Sequence, residues 1–300
     1  MATMKNLSMP AMGRYIDPLT DFGFKRIFGS ESHKDLLIAF LNELFKGRKT
    51  IRDLAYSLQE NGGPAKHHRK TIVDLTCIGM EGETFIIEMQ RAGQKFFADR
   101  AAFYTASRLY EQGPRGRKHW NFELKEVYFI GLMDFEFEDS RPGKYLRHVR
   151  LVEEETGKVF YKKLGFIFLE LPNFNLEAAE LKTDLERWMY MLRNMAKMEK
   201  IPVSLCTEVF QKLFTIAEIA NLKKEEYMLY QRDLLDKWTE YSVLKTAEEK
   251  GLEKGAEQKS YQVVCNLLSS TNFDVAKIAA LAGVTESFVK KVKISLKNKK

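Results

Sequence analysis

Asp74, Glu88 and Gln90 are the residues whose types and spacing could do chemistry. Asp74 stands in residues 71–78 (TIVDLTCI), and Glu88 and Gln90 stand in residues 83–90 (ETFIIEMQ). Both runs read as strands. Between them Met80, Glu81 and Gly82 form a three-residue loop with glycine third, where a left-handed backbone is needed and glycine adopts it without steric cost. This register sets Asp74 opposite Glu88, and directly opposed residues share a face. Val73, Leu75, Cys77, Phe85, Ile87 and Met89 then make one wholly apolar face. Ile72, Asp74, Thr76, Ile78, Thr84, Ile86, Glu88 and Gln90 make the other. A slip of one residue would mix the two. Two carboxylates side by side repel each other unless a cation compensates them. Mg²⁺ (or Mn²⁺) suits a few carboxylate oxygens completed by water and phosphate. Such a site could polarise a phosphodiester and lower the pKa of a bound water, and Gln90 could orient that water. Strand carboxylates often simply face solvent, but Ile72, Ile78 and Ile86 predict a partly covered face here.

The elements around this hairpin follow from periodicity. Leu36, Leu37, Phe40, Leu41, Leu44 and Phe45 give a helix over 35–45, ended by Gly47. Residues 51–59 read as a strand, and residues 61–70 (NGGPAKHHRK) as a basic loop. A long amphipathic helix over 95–111 follows the hairpin, then a loop with Arg115, Arg117 and Lys118. Further strands are predicted over 126–134 and 163–171, the latter ended by Pro172. Helices follow over 177–196 and continuously over 204–254. Residues 248–259, charged and carrying Gly251 and Gly255, read as a linker or an exposed helix. Strands mixed with helices, then helices alone, give an α/β class with a helical C-terminal part.

The 300 residues are 45% hydrophobic and 30% charged, an ordinary globular balance. The net charge of +7 favours polyanionic partners such as nucleic acid, or acidic membrane surfaces. Cys77, Cys206 and Cys265 make no CxxC pair, which argues against a zinc ribbon and fits a reducing compartment. No apolar run approaches the ~20 residues that span a bilayer. These features predict a cytoplasmic, nucleoid-associated protein without a membrane partner.

Residues 15–28 (YIDPLTDFGFKRIF), Ile72-Val73-Asp74-Leu75 and residues 85–90 (FIIEMQ) together resemble the PD-(D/E)XK nuclease family transposases, also described as recombination-promoting nucleases. The resemblance continues through Arg100 and Tyr104 to residues 128–135, and covers about 14–181 well. It implies a restriction-endonuclease-like core, a mixed four-stranded sheet flanked by helices, with the active site on the hairpin. Asp74 then matches the motif's first acid, Glu88 its second, and Gln90 stands where lysine would be. Glutamine carries no charge to offer a transition state, although ExQ is the form this family usually shows. A further acid often comes from the first core helix, where Glu43 is the candidate. Asp21 and Lys25 belong to the matched stretch, and Asp21 could equally be a helix cap. Arg100 and Tyr104, four apart, share a helical face that could meet the site, bind phosphate or simply pack. His68, Arg69 and Lys70, beside His67, suit backbone phosphates or plain solvent.

Residues 273–292 (FDVAKIAALAGVTESFVKKV) hold two short helical patterns around Gly283. Ala279, Gly283 and Val289 fall at helix-turn-helix spacing, with Thr285 as a cap. Lys290, Lys291 and the lysines after them would meet DNA phosphates, or form a solvated tail on a plain helical hairpin. The chain is thus divided into a nuclease-like domain over 14–200, a helical extension and linker over 201–259, and a small helical unit over 260–300. The function expected is an Mg²⁺-dependent DNA endonuclease linked to recombination or mobile elements, as a possible homodimer. The alternative is a catalytically weak or inactive DNA-binding or protein-interaction module.

Overall fold

The computed structural model describes residues 13–57, 74–93, 95–114 and 120–297. Helix α1 (Asp21–Phe28) opens the fold, followed by α2 (Lys34–Leu44), β1 (Leu54–Tyr56), β2 (Leu75–Gly79), β3 (Thr84–Gln90) and α3 (Phe97–Glu111). Strands β4 (Val127–Met133), β5 (Leu146–Val152) and β6 (Val159–Glu170) come next. Helices α4 (Asp184–Asn194), α5 (Glu208–Ala217), α6 (Lys224–Ser270), α7 (Val275–Ala282) and α8 (Glu286–Lys297) complete the chain. They form two compact units, one running to Leu234 and the other from Leu235. No helix among the described residues is long and apolar enough to cross a membrane.

The first unit is built on one mixed sheet of order β1-β2-β3-β4-β6-β5. It has six strands, not the expected four. The strands beyond the four that the resemblance implies are the two edges: β1, which lies within the strand expected over 51–59, and β5, which the sequence pattern does not predict. Strand β1 is only three residues long. Strand β5 (LRHVRLV) carries two arginines and a histidine, so its composition hides it. An edge strand pairs on one side only and tolerates charge that a central strand could not. Strand β4 is buried at every position and lies parallel to both β3 and β6. A parallel pairing requires a crossover, and α3 supplies it between β3 and β4.

Each face of the sheet is covered. On one face Leu75, Cys77, Phe85 and Ile87 meet a core built from α1, α2, α4 and α5. Its centre is aromatic: Trp188 lies 5.9 Å from Phe28, 5.4 Å from Phe40 and 4.9 Å from Phe210, between ring centroids. On the other face α3 lays Phe97 and Ala101 over Ile86, Phe129 and Phe168. The backbone after β4 is fixed over this second core by Glu170. That fully buried carboxylate pairs with Arg147 and accepts from the Ser140 hydroxyl and from Phe137 N at 3.1 Å. Phe135 and Phe137 are thereby held against Phe97.

The helical stretch expected over 204–254 is interrupted. Helix α5 ends at Ala217, where the chain forms a bridge between Glu218 and Tyr15 before α6 begins. Residues 248–259 are helical within α6 and exposed throughout, so glycines 251 and 255 do not break it. Helix α6 begins beside α1: Tyr230 Oη accepts from Asp17 N at 2.8 Å, and Asp233 Oδ2 accepts from Phe22 N at 2.7 Å.

Trp188 is 2% exposed at the meeting point of three helices, so its removal leaves a cavity that rigid neighbours cannot close. Trp188→Ala is expected to lower unfolding stability by about 3–5 kcal/mol in urea titration. A loss below 1 kcal/mol would contradict this account of the core.

Candidate active site

The hairpin has the register that the sequence predicts. Leu75 pairs with Ile87 and Thr76 with Ile86, which sets Asp74, one residue before β2, opposite Glu88. The turn closes through Gly79 N to Glu83 O at 2.9 Å and Gly82 N to Gly79 O at 3.0 Å. Gly82 has φ +84°, the left-handed value that reserves this position for glycine. The predicted separation of faces also holds among the described residues, Ile72 and Val73 lying outside them. Leu75, Cys77, Phe85 and Ile87 belong to one core, while Ile86 belongs to the other, under α3.

Glu88 sits on the face covered by α3, its side chain 8% exposed. It pairs with Arg100, and the same Nη2 of Arg100 donates to Gln90 Oε1 at 2.6 Å. Arg100 itself lies over the buried ring of Phe97, 5.3 Å from the centroid. The Gln90 amide nitrogen donates to Ala92 O at 3.2 Å, which leaves Oε1 turned to the site. Asp74 Oδ2 accepts from Met89 N at 2.6 Å, so the first acid is tied to the backbone next to the second.

Burial dominates the electrostatics. Desolvation pushes the Glu88 carboxyl up from 4.5 to about 7; Arg100 opposes this and Asp74 adds to it. The Arg100 pair is therefore weaker than the cost of taking Glu88 out of water. Asp74 is also raised, first by desolvation, against the hydrogen bond from Met89 N, with Asp21 adding to the rise and Lys25 and Arg100 opposing it. Tyr104 is raised by burial and then by Glu88. Glu88 Oε2 is buried and has no hydrogen-bond partner among the described residues. Such an oxygen is costly unless a proton or a cation completes it.

Asp74, Glu88, Gln90, Arg100 and Tyr104 are thus brought together. Helix α1 stands close enough for Asp21 and Lys25 to act on Asp74, while they pair with each other at 2.7 Å. Asp21 is not the cap of α1. Thr20 is, its Oγ1 accepting from Gly23 N at 3.0 Å. Glu43 pairs with Lys46 at 3.2 Å on α2 and is not among the charges acting on either acid. His68, Arg69, Lys70, Arg115, Arg117 and Lys118 lie outside the described residues. Lys290 and Lys291 belong to the second unit and are exposed.

Sequence reading passed over Arg108. Its Nη2 donates to the buried Thr76 Oγ1 at 3.4 Å, on the same sheet face as the two acids. The signal was the i+4 spacing itself: Arg100, Tyr104 and Arg108 form one stripe along α3.

No group of three or more His, Cys, Asp or Glu that could hold a metal occurs among the described residues. A Mg²⁺-type site needs fewer, because one or two carboxylates suffice when water and phosphate complete the shell. Asp74 and Glu88, whose Oε2 has no partner among the described residues, form a carboxylate set that fits such an ion, with Gln90 Oε1 beside it accepting from Arg100.

Residues 18–247 match the family model described as PD-(D/E)XK nuclease family transposase. No curated protein and no solved structure matches the chain.

The raised carboxyl of Glu88 has a consequence for stability. A group whose folded pKa lies above its unfolded value costs stability when ionised. The cost is absent below about 4.5, grows from there to about 7 and is complete above it. Glu88→Gln cannot ionise. In EDTA, its melting temperature is expected to equal that of the parent near pH 4 and to exceed it at pH 8, by at most about 3 kcal/mol of stability. A difference that stays constant or reverses with pH would show that Glu88 is not held as described.

Proposed function

Because the chain belongs to the PD-(D/E)XK nuclease family transposases, we propose that it is an Mg²⁺- or Mn²⁺-dependent DNA endonuclease acting in recombination or mobile-element processes. The observation that carries this reading is the Glu88 carboxylate, buried across the hairpin from Asp74 with Oε2 lacking a partner among the described residues. Burial of this kind is costly for folding and gains a purpose when a cation joins the pair.

Asp74 and Glu88 would hold the ion, and the hydrogen bond from Met89 N keeps Asp74 oriented toward its partner. When bound, the ion supplies a Lewis acid and a water of lowered pKa. Gln90 Oε1, which accepts from Arg100 Nη2, would orient a water beside it by accepting its hydrogen. Arg100 offers the positive charge that Gln90 lacks. Its guanidinium already reaches both Glu88 and Gln90 and is backed by Phe97, so it is placed to donate to a phosphate oxygen. Tyr104 and Arg108 extend a polar stripe beyond it, and Lys25 adds positive charge from α1.

Plasmid cleavage tests the proposal. The native chain is expected to cut with Mg²⁺ or Mn²⁺ and to stop with EDTA. Asp74→Ala and Glu88→Ala are expected to cut at least about 100-fold more slowly, since each removes several kcal/mol of charge stabilisation. Equal cutting by all three proteins would move the chemistry away from the hairpin. Binding without cutting under any divalent ion would favour an inactive DNA-binding module, which the glutamine at position 90 makes the competing reading.

A further inference from the structure

The C-terminal unit carries a second feature that the hairpin chemistry does not use. The end of α6, α7 and α8 enclose a core of their own, with Val264, Ile278, Ala279, Val289 and Val292 at its centre. Asp274 caps α7, its Oδ1 accepting from Lys277 N at 2.7 Å. Gly283 ends α7 with φ +63°, and Val284 N donates to Ala279 O at 3.0 Å. A Cβ at Gly283 would meet nothing within 4 Å. Glycine is therefore needed for the left-handed turn and not for close packing. Thr285 Oγ1 accepts from Phe288 N at 3.3 Å and starts α8. Two short helices, a left-handed glycine turn and a third supporting helix make a helix-turn-helix arrangement.

Helix α8 has two unlike sides. Val289 and Val292 face the core, while Ser287, Lys290, Lys291, Lys293 and Ile294 are exposed. Glu286 is the only acidic residue of α8, and it pairs with Lys290 at 3.5 Å. The exposed side is thus strongly positive. A second copy of the chain would set lysine against lysine there and be repelled.

We infer that the exposed side of α8 docks on the phosphate backbone of duplex DNA, without choosing its sequence. Lysine is a compact point charge suited to phosphate, and the exposed side has no Arg, Asn or Gln to read base edges in bidentate fashion. The proposal takes from the preceding reading only that DNA is the partner, and it assigns the holding of DNA to a part of the chain that does not cut it.

The test uses full-length Asp74→Ala protein in EDTA, so that binding is read apart from cutting. Anisotropy of a short labelled duplex gives Kd between about 50 and 200 mM salt. Each phosphate contact contributes about 0.9 to the slope of log affinity against log salt. Adding Lys290→Gln, Lys291→Gln and Lys293→Gln is expected to reduce that slope by nearly 3, with equal losses on two unrelated duplex sequences. A comparison protein with Lys250→Gln, Lys254→Gln and Lys259→Gln loses the same charge from the exposed middle of α6 and is expected to keep the slope. Unchanged far-UV circular dichroism shows that the variants remain folded. An unchanged slope in the α8 variant overturns the inference, whether or not the native chain cuts plasmid. So does an equal loss in both triple variants, which would reduce the effect to net charge. Tighter binding to phosphatidylserine vesicles than to duplex also overturns it, because the lysines would then serve a lipid surface. Loss of cutting in Asp74→Ala with the slope retained bears on the hairpin alone and supports the division of labour.

Discussion

The bridge from Arg100 to Glu88 and Gln90 is the interaction around which the first unit is organised. A carboxylate on a central strand is withdrawn from water, and one guanidinium from the crossover helix reaches it and the amide two residues along. This works only if α3 lies flat on the sheet. Phe97 and Ala101 anchor it there by burial against Ile86, Phe129 and Phe168. Glu170 fixes the next layer outward, holding the segment that presses Phe135 and Phe137 on Phe97. The polar site is thus supported by an apolar stack, and that stack by a second buried ion pair. Unsatisfied polar groups in such a place are expensive, so the supporting contacts must keep it well ordered.

Helix α1 plays the complementary part from the other side. Its residues Phe24 and Phe28 belong to the large core, while Asp21 and Lys25 act on Asp74. The start of α6 ties α1 down through Tyr230, Asp233 and the Arg26–Glu226 ion pair. The matched family segment extends to residue 247, well into α6. The physical connection runs through these contacts: a helix late in the chain steadies the early helix that neighbours the first acid. The site therefore draws on segments more than 200 residues apart, although its two acids are only fourteen apart.

Much of this was legible because the hairpin is a local structure. Its period of two, the glycine at the third loop position and the wholly apolar alternate face fix the register of Asp74 and Glu88 without reference to the rest of the chain. The helices over 35–45 and 95–111 were legible for the same reason, their apolar spacing being strong. Strand β5 was not, since Arg147, His148 and Arg150 mask an edge strand that owes its existence to pairing with β6. The break between α5 and α6 was hidden too. It is made by the bridge from Glu218 to Tyr15, a contact across some 200 residues that no local pattern announces.

By itself the sequence determined the register of Asp74 and Glu88 and the side of the hairpin on which they lie, because these depend on alternation and turn chemistry over twenty residues. It also determined the basic helical unit at the end of the chain, through a glycine that can turn left-handed and lysines that cannot be buried. Tertiary structure alone decided that Glu88 would be desolvated, that one guanidinium, Arg100, would reach both Glu88 and Gln90, that Arg108 would join the same stripe, and that Glu43 would pair with Lys46. These outcomes depend on how α1 and α3 lie against the sheet. That placement is set by side chains distant in sequence packing into one volume, and periodicity carries no information about it.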